Sequence, residues 1–252
     1  KTRFLGRKPA SLEDEIEFWA GAGYDHVPVQ AGIRSLLRPS SAQAGADESG
    51  GTLRESGMDV RKLFTARRER YAYDGGYSER EWAPEGDGVI TSQGDFDSFP
   101  WPSPDSFTFE EFEIAEQALP EGLRVTAFLG WVFTGAWWLM GMEGFMFGLH
   151  DQPDLVRAVT RRIGEIQAEV LRRLLRERRG GLGAVLMSDD LAHGGGLLVG
   201  PDYLRSQVLP WYREMIGECH RAGLPVILHS DGDVTQVIPD IIEAGFDGFH
   251  PV

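Results

Sequence analysis

Residues 225–252, PVILHSDGDVTQVIPDIIEAGFDGFHPV, constrain the fold more than any other stretch of the chain. An apolar run, Val226, Ile227 and Leu228, leads straight into the polar cluster His229, Ser230, Asp231, Gly232 and Asp233. A helix pattern follows, apolar at Val234, Val237, Ile238, Ile241 and Ile242. Asp233 is its expected N-cap, Gln236 sits at the third helical position, and Gly245 is the expected stop. A second strand over residues 246–252 carries His250 near its end. A strand, a helix and a strand in that order form a crossover, which joins parallel strands. Parallel strands bring their C-terminal ends to one edge, where α/β enzymes place their chemistry.

The same grammar recurs upstream. Ser11 with Asp14 has capping-box spacing for a helix over residues 12–21, and a strand follows over residues 24–29. The segments AGYDHVPV and AGFDGFHPV share a rhythm. Residues 123–130, LRVTAFLG, read as a strand buried on both faces, and residues 181–190, GLGAVLMSDD, as one ending in two carboxylates. A helix from Pro153 to about Arg179 repeats apolar residues at Leu155, Val156, Val159, Ile163, Ile166, Val170 and Leu174. Another runs from Pro201 to about Arg221. The apolar run from Trp131, with glycines at 135, 141, 144 and 148, predicts a broken or kinked helix. Thr108 with Glu111 predicts the start of a helix reaching Leu119. From residue 123 onward there are no hairpin signals.

Strands near residues 24, 124, 184, 226 and 247 make the fold class α/β, a (β/α)8 TIM barrel in a single domain over residues 1–252. A closed barrel of this kind needs eight strands. One or two more are expected between residues 71 and 93, for instance at 88–91. A chain ending on an uncovered strand reads as incomplete.

Residues 40–57 are small and polar and predict a loop or a disordered segment. Residues 60–70 are locally basic, either a solvated face or an anion clamp on a lid. Residues 98–107 make a rigid proline-rich loop, and a flexible or lid segment is expected near 38–105. The net charge of -14 argues against nucleic acid or an anionic membrane as partner. A lone cysteine, Cys219, excludes a disulfide framework, and there is no 18-residue apolar run. The expected setting is cytoplasmic.

Ionisable residues gather at three strand ends: Asp189 and Asp190; His229 and Asp231; His250. His193 lies in the loop behind the first. Imidazoles and carboxylates converging on one point make a general acid/base site or a metal site for zinc or another divalent ion. In an extended strand residues i and i+2 point to one side, so His229 and Asp231 can reach one ion. Of the adjacent pair Asp189 and Asp190, one is expected to face the mouth. Trp131, Trp137 and Trp138 are core residues or the lining of a pocket for a flat ligand.

The stretch from GAVLMSDDLAHGGG to GFDGFHPV, together with FWAGAGYDHVPV and FTGAWWLMGMEGF…DQPDLVRAV, resembles the uroporphyrinogen decarboxylase superfamily. The resemblance implies a TIM barrel and one of two activities. These are decarboxylation of uroporphyrinogen III and methyl transfer to or from a corrinoid protein or a thiol. The decarboxylases place a tyrosine where Trp138 stands here. Zinc methyltransferases carry His-x-Cys at the strand end matching ILHSD; here His229 is kept and Asp231 replaces the cysteine. The resemblance therefore points first to a corrinoid-linked methyltransferase-like enzyme with His229 and Asp231 as metal ligands. Uroporphyrinogen III decarboxylase is the alternative, and an acid/base enzyme on another small substrate the third reading. Catalytic roles are expected of His229, Asp231, Asp190, Asp189 and His250, and cofactor contacts of Trp138 and His193. The expected partners are a small-molecule substrate, a corrinoid as substrate or partner cofactor, and a second copy of the chain. No nucleotide cofactor is expected.

Overall fold

A computed structural model of the chain describes residues 1–7, 9–33, 67–73, 76–82, 86 and 88–251. The loop expected at 40–57, residues 60–66 of the basic segment and residues 38–66 of the expected lid lie outside them.

Helices α1 (Thr2–Leu5) and α2 (Leu12–Gly21) precede strand β1 (His26–Gln30). Strands β2 (Arg67–Tyr73) and β3 (Gly76–Trp82) pair with each other. Helices α3 (Gln93–Ser98) and α4 (Glu110–Ala118) lead to β4 (Arg124–Gly130), then α5 (Val132–Met140), α6 (Met142–Asp151) and the long α7 (Pro153–Arg178). Strand β5 (Leu182–Ser188) is followed by the two-residue strands β6 (Ala192–His193) and β7 (Gly196–Leu197), and by α8 (Pro201–Tyr203) and α9 (Leu209–Arg221). Strand β8 (Val226–His229), α10 (Ile238–Ala244) and β9 (Gly248–His250) complete the order.

The five expected strands form one sheet in the order β1-β4-β5-β8-β9, and every neighbouring pair is parallel. This is an α/β fold of partial (β/α)8 type: the described residues hold five parallel strands, not eight. Alternate rows of the sheet face opposite ways. Leu129, Met187 and Leu228 are register neighbours and are buried. The next row, Gly130, Ser188, His229 and His250, crosses four adjacent strands at their C-terminal ends. Every predicted apolar position of α7 is buried, from Leu155 to Leu174.

Several local expectations change. Strands β2 and β3 are an antiparallel hairpin outside the main sheet, and β6 and β7 form a second hairpin where none was expected. Residues 88–91 do not form a strand. The N–H groups of Gly88, Val89 and Ile90 donate to the Met140 and Leu139 carbonyls, completing the C-terminus of α5 instead of a sheet edge. Ile90 is buried there, within the segment expected to be flexible or a lid. The helix after Thr108 begins on Phe109 without a side-chain cap; Glu110, Glu111 and Glu113 in its first turn complement the helix dipole instead. Asp233 is not a helix N-cap: it accepts from Thr235 N at 2.9 Å ahead of a 3-10 turn (Thr235–Val237) whose N-cap is Val234, and α10 starts only at Ile238. The helix expected from Pro201 contains a π turn (Leu204–Val208), in which Leu209 N–H donates to Leu204 O. Pro210 lacks the N–H that would bond Ser206, so the ladder widens just before it. Ser11 does cap α2, accepting from Asp14 N at 3.3 Å, and the apolar run does break, at Gly141 between α5 and α6.

One amide ties the strand ends together. Gln167, on the apolar face of α7 and 1% exposed, donates through Nε2 to Gly130 O and accepts from Ile33 N at 3.2 Å. It thus links the chain leaving β1 to the chain leaving β4. Gln167→Leu keeps the volume but strips both backbone groups of their partner. The expected loss of stability is about 2 kcal/mol or more, since each buried unsatisfied group costs about 1–3 kcal/mol. Urea unfolding measures it, and an unchanged midpoint would show that both groups find other partners.

Candidate functional site at the strand ends

The mouth is built outward from a buried carboxylate. Asp189, the first residue after β5, is fully buried. Its Oδ2 accepts from Phe133 N at 2.8 Å and from the Tyr212 hydroxyl; its Oδ1 accepts from Thr134 N at 2.6 Å. Phe133 and Thr134 lie in the first turn of α5, whose N-cap Trp131 offers no side-chain cap. Asp189 therefore caps α5 from another strand. Burial pushes its carboxyl upward, opposed by the Thr134 and Tyr212 hydroxyls and by the two N–H donors. Burial, together with the Asp189 charge, pushes the Tyr212 phenol well above its ordinary value, so it stays a donor.

Asp190 turns the other way. Its N–H donates to Thr134 Oγ1 at 3.1 Å, and its half-exposed carboxylate stands 3.8 Å from His229 Nε2. Asp231 N–H donates to Asp190 Oδ1 at 3.3 Å. One ligand atom each from Asp190, His229 and Asp231 lies within 4.8 Å of the others. On its far side, His229 Nδ1 is 2.8 Å from Nδ1 of His250, its register neighbour on β9. The partner on that side is thus an imidazole, not a carboxylate or a backbone carbonyl. A metal-binding His229 needs a bare Nε2. Its proton then sits on Nδ1 and is donated to His250 Nδ1, which leaves the His250 proton on Nε2.

The loop carrying Asp231 is held by close approach. Leu191 N–H donates to Ser230 Oγ at 3.0 Å, and Asp233 N–H to His193 O at 3.0 Å. Gly232 has φ +84, and a Cβ there would lie 2.5 Å from the Ala192 and His193 backbone. Only glycine fits between the two loops.

The candidate residues therefore separate. Asp190, His229 and Asp231 come together, with His250 behind His229. Asp189 does not share the mouth, because its carboxylate is consumed by α5 and Tyr212. His193 is exposed on the β6–β7 hairpin, and its Nδ1 accepts from Gly195 N at 3.0 Å. Trp138 is buried on α5 against Trp131, ring centroids 5.0 Å apart. Thr134, Tyr212 and Ser230 position the mouth and were not anticipated. Thr134 is the only hydroxyl in an otherwise apolar α5, which is the one signal that singles it out.

Asp189→Ala leaves three buried donors without an acceptor. It is expected to cost about 3 kcal/mol or more, against about 1 kcal/mol for Tyr212→Phe. Equal, small losses in urea unfolding would mean that α5 does not depend on this cap.

Among solved structures, the fold is similar to a methyltransferase from Methanosarcina mazei, with a TM-score of 0.56 and 13% identity over 95% of this chain. The chain spans 62% of that protein's length, and at this identity the likeness is one of fold. No curated protein matches the chain by sequence. Among the described residues no helix is long and apolar enough to cross a membrane. The family profile for uroporphyrinogen decarboxylase (URO-D) matches residues 77–251, well over half of the sequence. The chain belongs to the uroporphyrinogen decarboxylase family.

Proposed function

We propose that the chain carries the metal-assisted site of a corrinoid-linked methyltransferase-like enzyme, with the ion on Asp190, His229 and Asp231. The observation that carries the reading is the convergence of these ligand atoms within 4.8 Å at the C-terminal ends of neighbouring parallel strands. The similarity in fold to a methyltransferase supports it. His229 offers Nε2 while His250 holds its other nitrogen. Thr134 and Asp231 fix the Asp190 backbone and carboxylate. A bound divalent ion supplies Lewis-acid polarisation of a coordinated substrate group. The protein's own part is to fix ligand direction and to leave the solvent side, next to exposed Asp231, open to substrate.

Uroporphyrinogen III decarboxylation is the second reading, favoured by the family match. Against it, the residue in the place of the decarboxylases' tyrosine is Trp138, which has no phenol and is buried against Trp131. The two readings separate in two assays of the full-length protein. Methyl transfer changes the cobalamin absorption spectrum; decarboxylation yields coproporphyrinogen on chromatography. Coproporphyrinogen with an unchanged cobalamin spectrum rejects the methyltransferase reading.

The ligands give a graded expectation for metal content. Asp231→Ala and His229→Ala lose the ion. His250→Ala keeps it with affinity lowered about 10–100-fold, the usual cost of removing the partner of a ligating histidine. Metal analysis after purification without chelator, followed by titration, measures all three. Full occupancy in His229→Ala would reject the site.

A further inference from the structure

We infer that Ser230 is a positioning residue: its buried hydroxyl sets the separation of the Asp190 and Asp231 carboxylates, and with it the size of ion that the pair grips. The inference rests on the metal-assisted reading above but not on the corrinoid part of it.

The β5–β8 register ends with Ser188 beside His229, and a backbone bond from Asp189 N–H to His229 O at 2.9 Å follows it. The two chains then carry Asp190 and Asp231, and side chains take over the work of the ladder. Ser230 is 1% exposed. Its Oγ accepts at 3.0 Å from the N–H of Leu191, the residue after Asp190, and donates to the Asp231 carbonyl at 3.0 Å. Its own N–H donates to His250 O at 3.1 Å. Ser230 thus bonds at once to the chains leaving β5, β8 and β9, each time at or next to a residue of the mouth.

A serine side chain has a single carbon–carbon torsion, and here its hydroxyl is held both as acceptor and as donor. That makes it a short, stiff spacer between the Asp190 and Asp231 segments. The direct link between them, Asp231 N–H to Asp190 Oδ1, is longer at 3.3 Å and exposed, so the buried hydroxyl is the firmer of the two. Ligands held at a fixed separation discriminate ions by size, and ligands free to spread do so less. Further groups at the mouth would add to the shell of an ion without changing what spaces these two carboxylates.

The test uses full-length protein stripped of metal and titrated with Zn2+ and with the larger Cd2+. Ser230→Ala is expected to weaken Zn2+ binding about 10–100-fold, the usual cost of removing an outer partner of a metal ligand. Cd2+ binding should weaken less, so that the Zn2+ to Cd2+ affinity ratio falls. Ser230→Thr keeps the hydroxyl and should keep the native ratio. In an Asp190→Ala background there is no separation left to set, and adding Ser230→Ala should leave the ratio unchanged. A Ser230→Ala protein that is less stable but binds both ions as the native protein does overturns the inference alone, because Ser230 then serves only the fold. So does an equal loss for the two ions, a Ser230→Thr ratio as low as that of Ser230→Ala, or the same fall in ratio without Asp190. Native protein that binds neither ion overturns it together with the metal site.

Discussion

The mouth depends on where one negative charge is buried. Asp189 and Asp190 are adjacent, so their side chains leave an extended backbone on opposite sides. Asp189 is drawn inward by the first-turn N–H groups of α5 and the Tyr212 hydroxyl of α9. That choice sends Asp190 outward. A carboxylate that serves as a helix cap thus decides which of two chemically identical neighbours can reach a ligand. It also pins β5, α5 and α9 to each other at the level where His229 emerges from β8. Burial of the charge is costly, and it is tolerated because both oxygens are satisfied.

The sheet then supplies alignment. Parallel pairing sets Gly130, Ser188, His229 and His250 in one row, so two imidazoles from different strands meet without any loop to steer them. The row starts on a glycine for a physical reason. Gly130 has φ +109, and a Cβ there would stand 2.6 Å from Ser188 O. The chain must turn sharply at that point so that Trp131 N–H can donate to Ser188 O and α5 can begin above Asp189. Gln167 receives the Gly130 carbonyl that the turn leaves over.

Signals that act within a few residues were legible in the sequence. The periodicity of α7 and the Ser11 cap depend on neighbours in the chain and appear where expected, and the break expected among four glycines falls at Gly141. The parallel order of the four strands from β4 onward was legible because each crossover carries its own helix; β1 directly beside β4 was not, since one or two strands were expected between them. Partnerships over long sequence distances were not. Nothing around Tyr212 announces a buried bond to Asp189, 23 residues away. Residues 88–91 look like a strand, but what they complete is the end of a helix some 50 residues later, at Leu139 and Met140. At Thr108 the capping pattern was present, but three glutamates in the first turn already complement the helix, so the hydroxyl is not needed. For the site, His229, Asp231 and Asp190 were legible as candidates; the inward turn of Asp189 and the pairing of His229 with His250 were not.

That imidazole pair makes the mouth differ from one backed by a carboxylate. A carboxylate behind a ligating histidine adds negative charge and makes the ring a stronger donor. A neutral imidazole fixes direction and tautomer without adding charge. With two carboxylates already beside His229, a third would leave a divalent ion overcompensated. His250 fixes the direction of His229 without placing a third carboxylate beside Asp190 and Asp231. The pair also links the two rings: a ligand on His229 Nε2 places the His250 proton on its own Nε2, on the side away from His229. An ion on His229 would thus decide which ring nitrogen of exposed His250 carries a proton at the edge of the mouth.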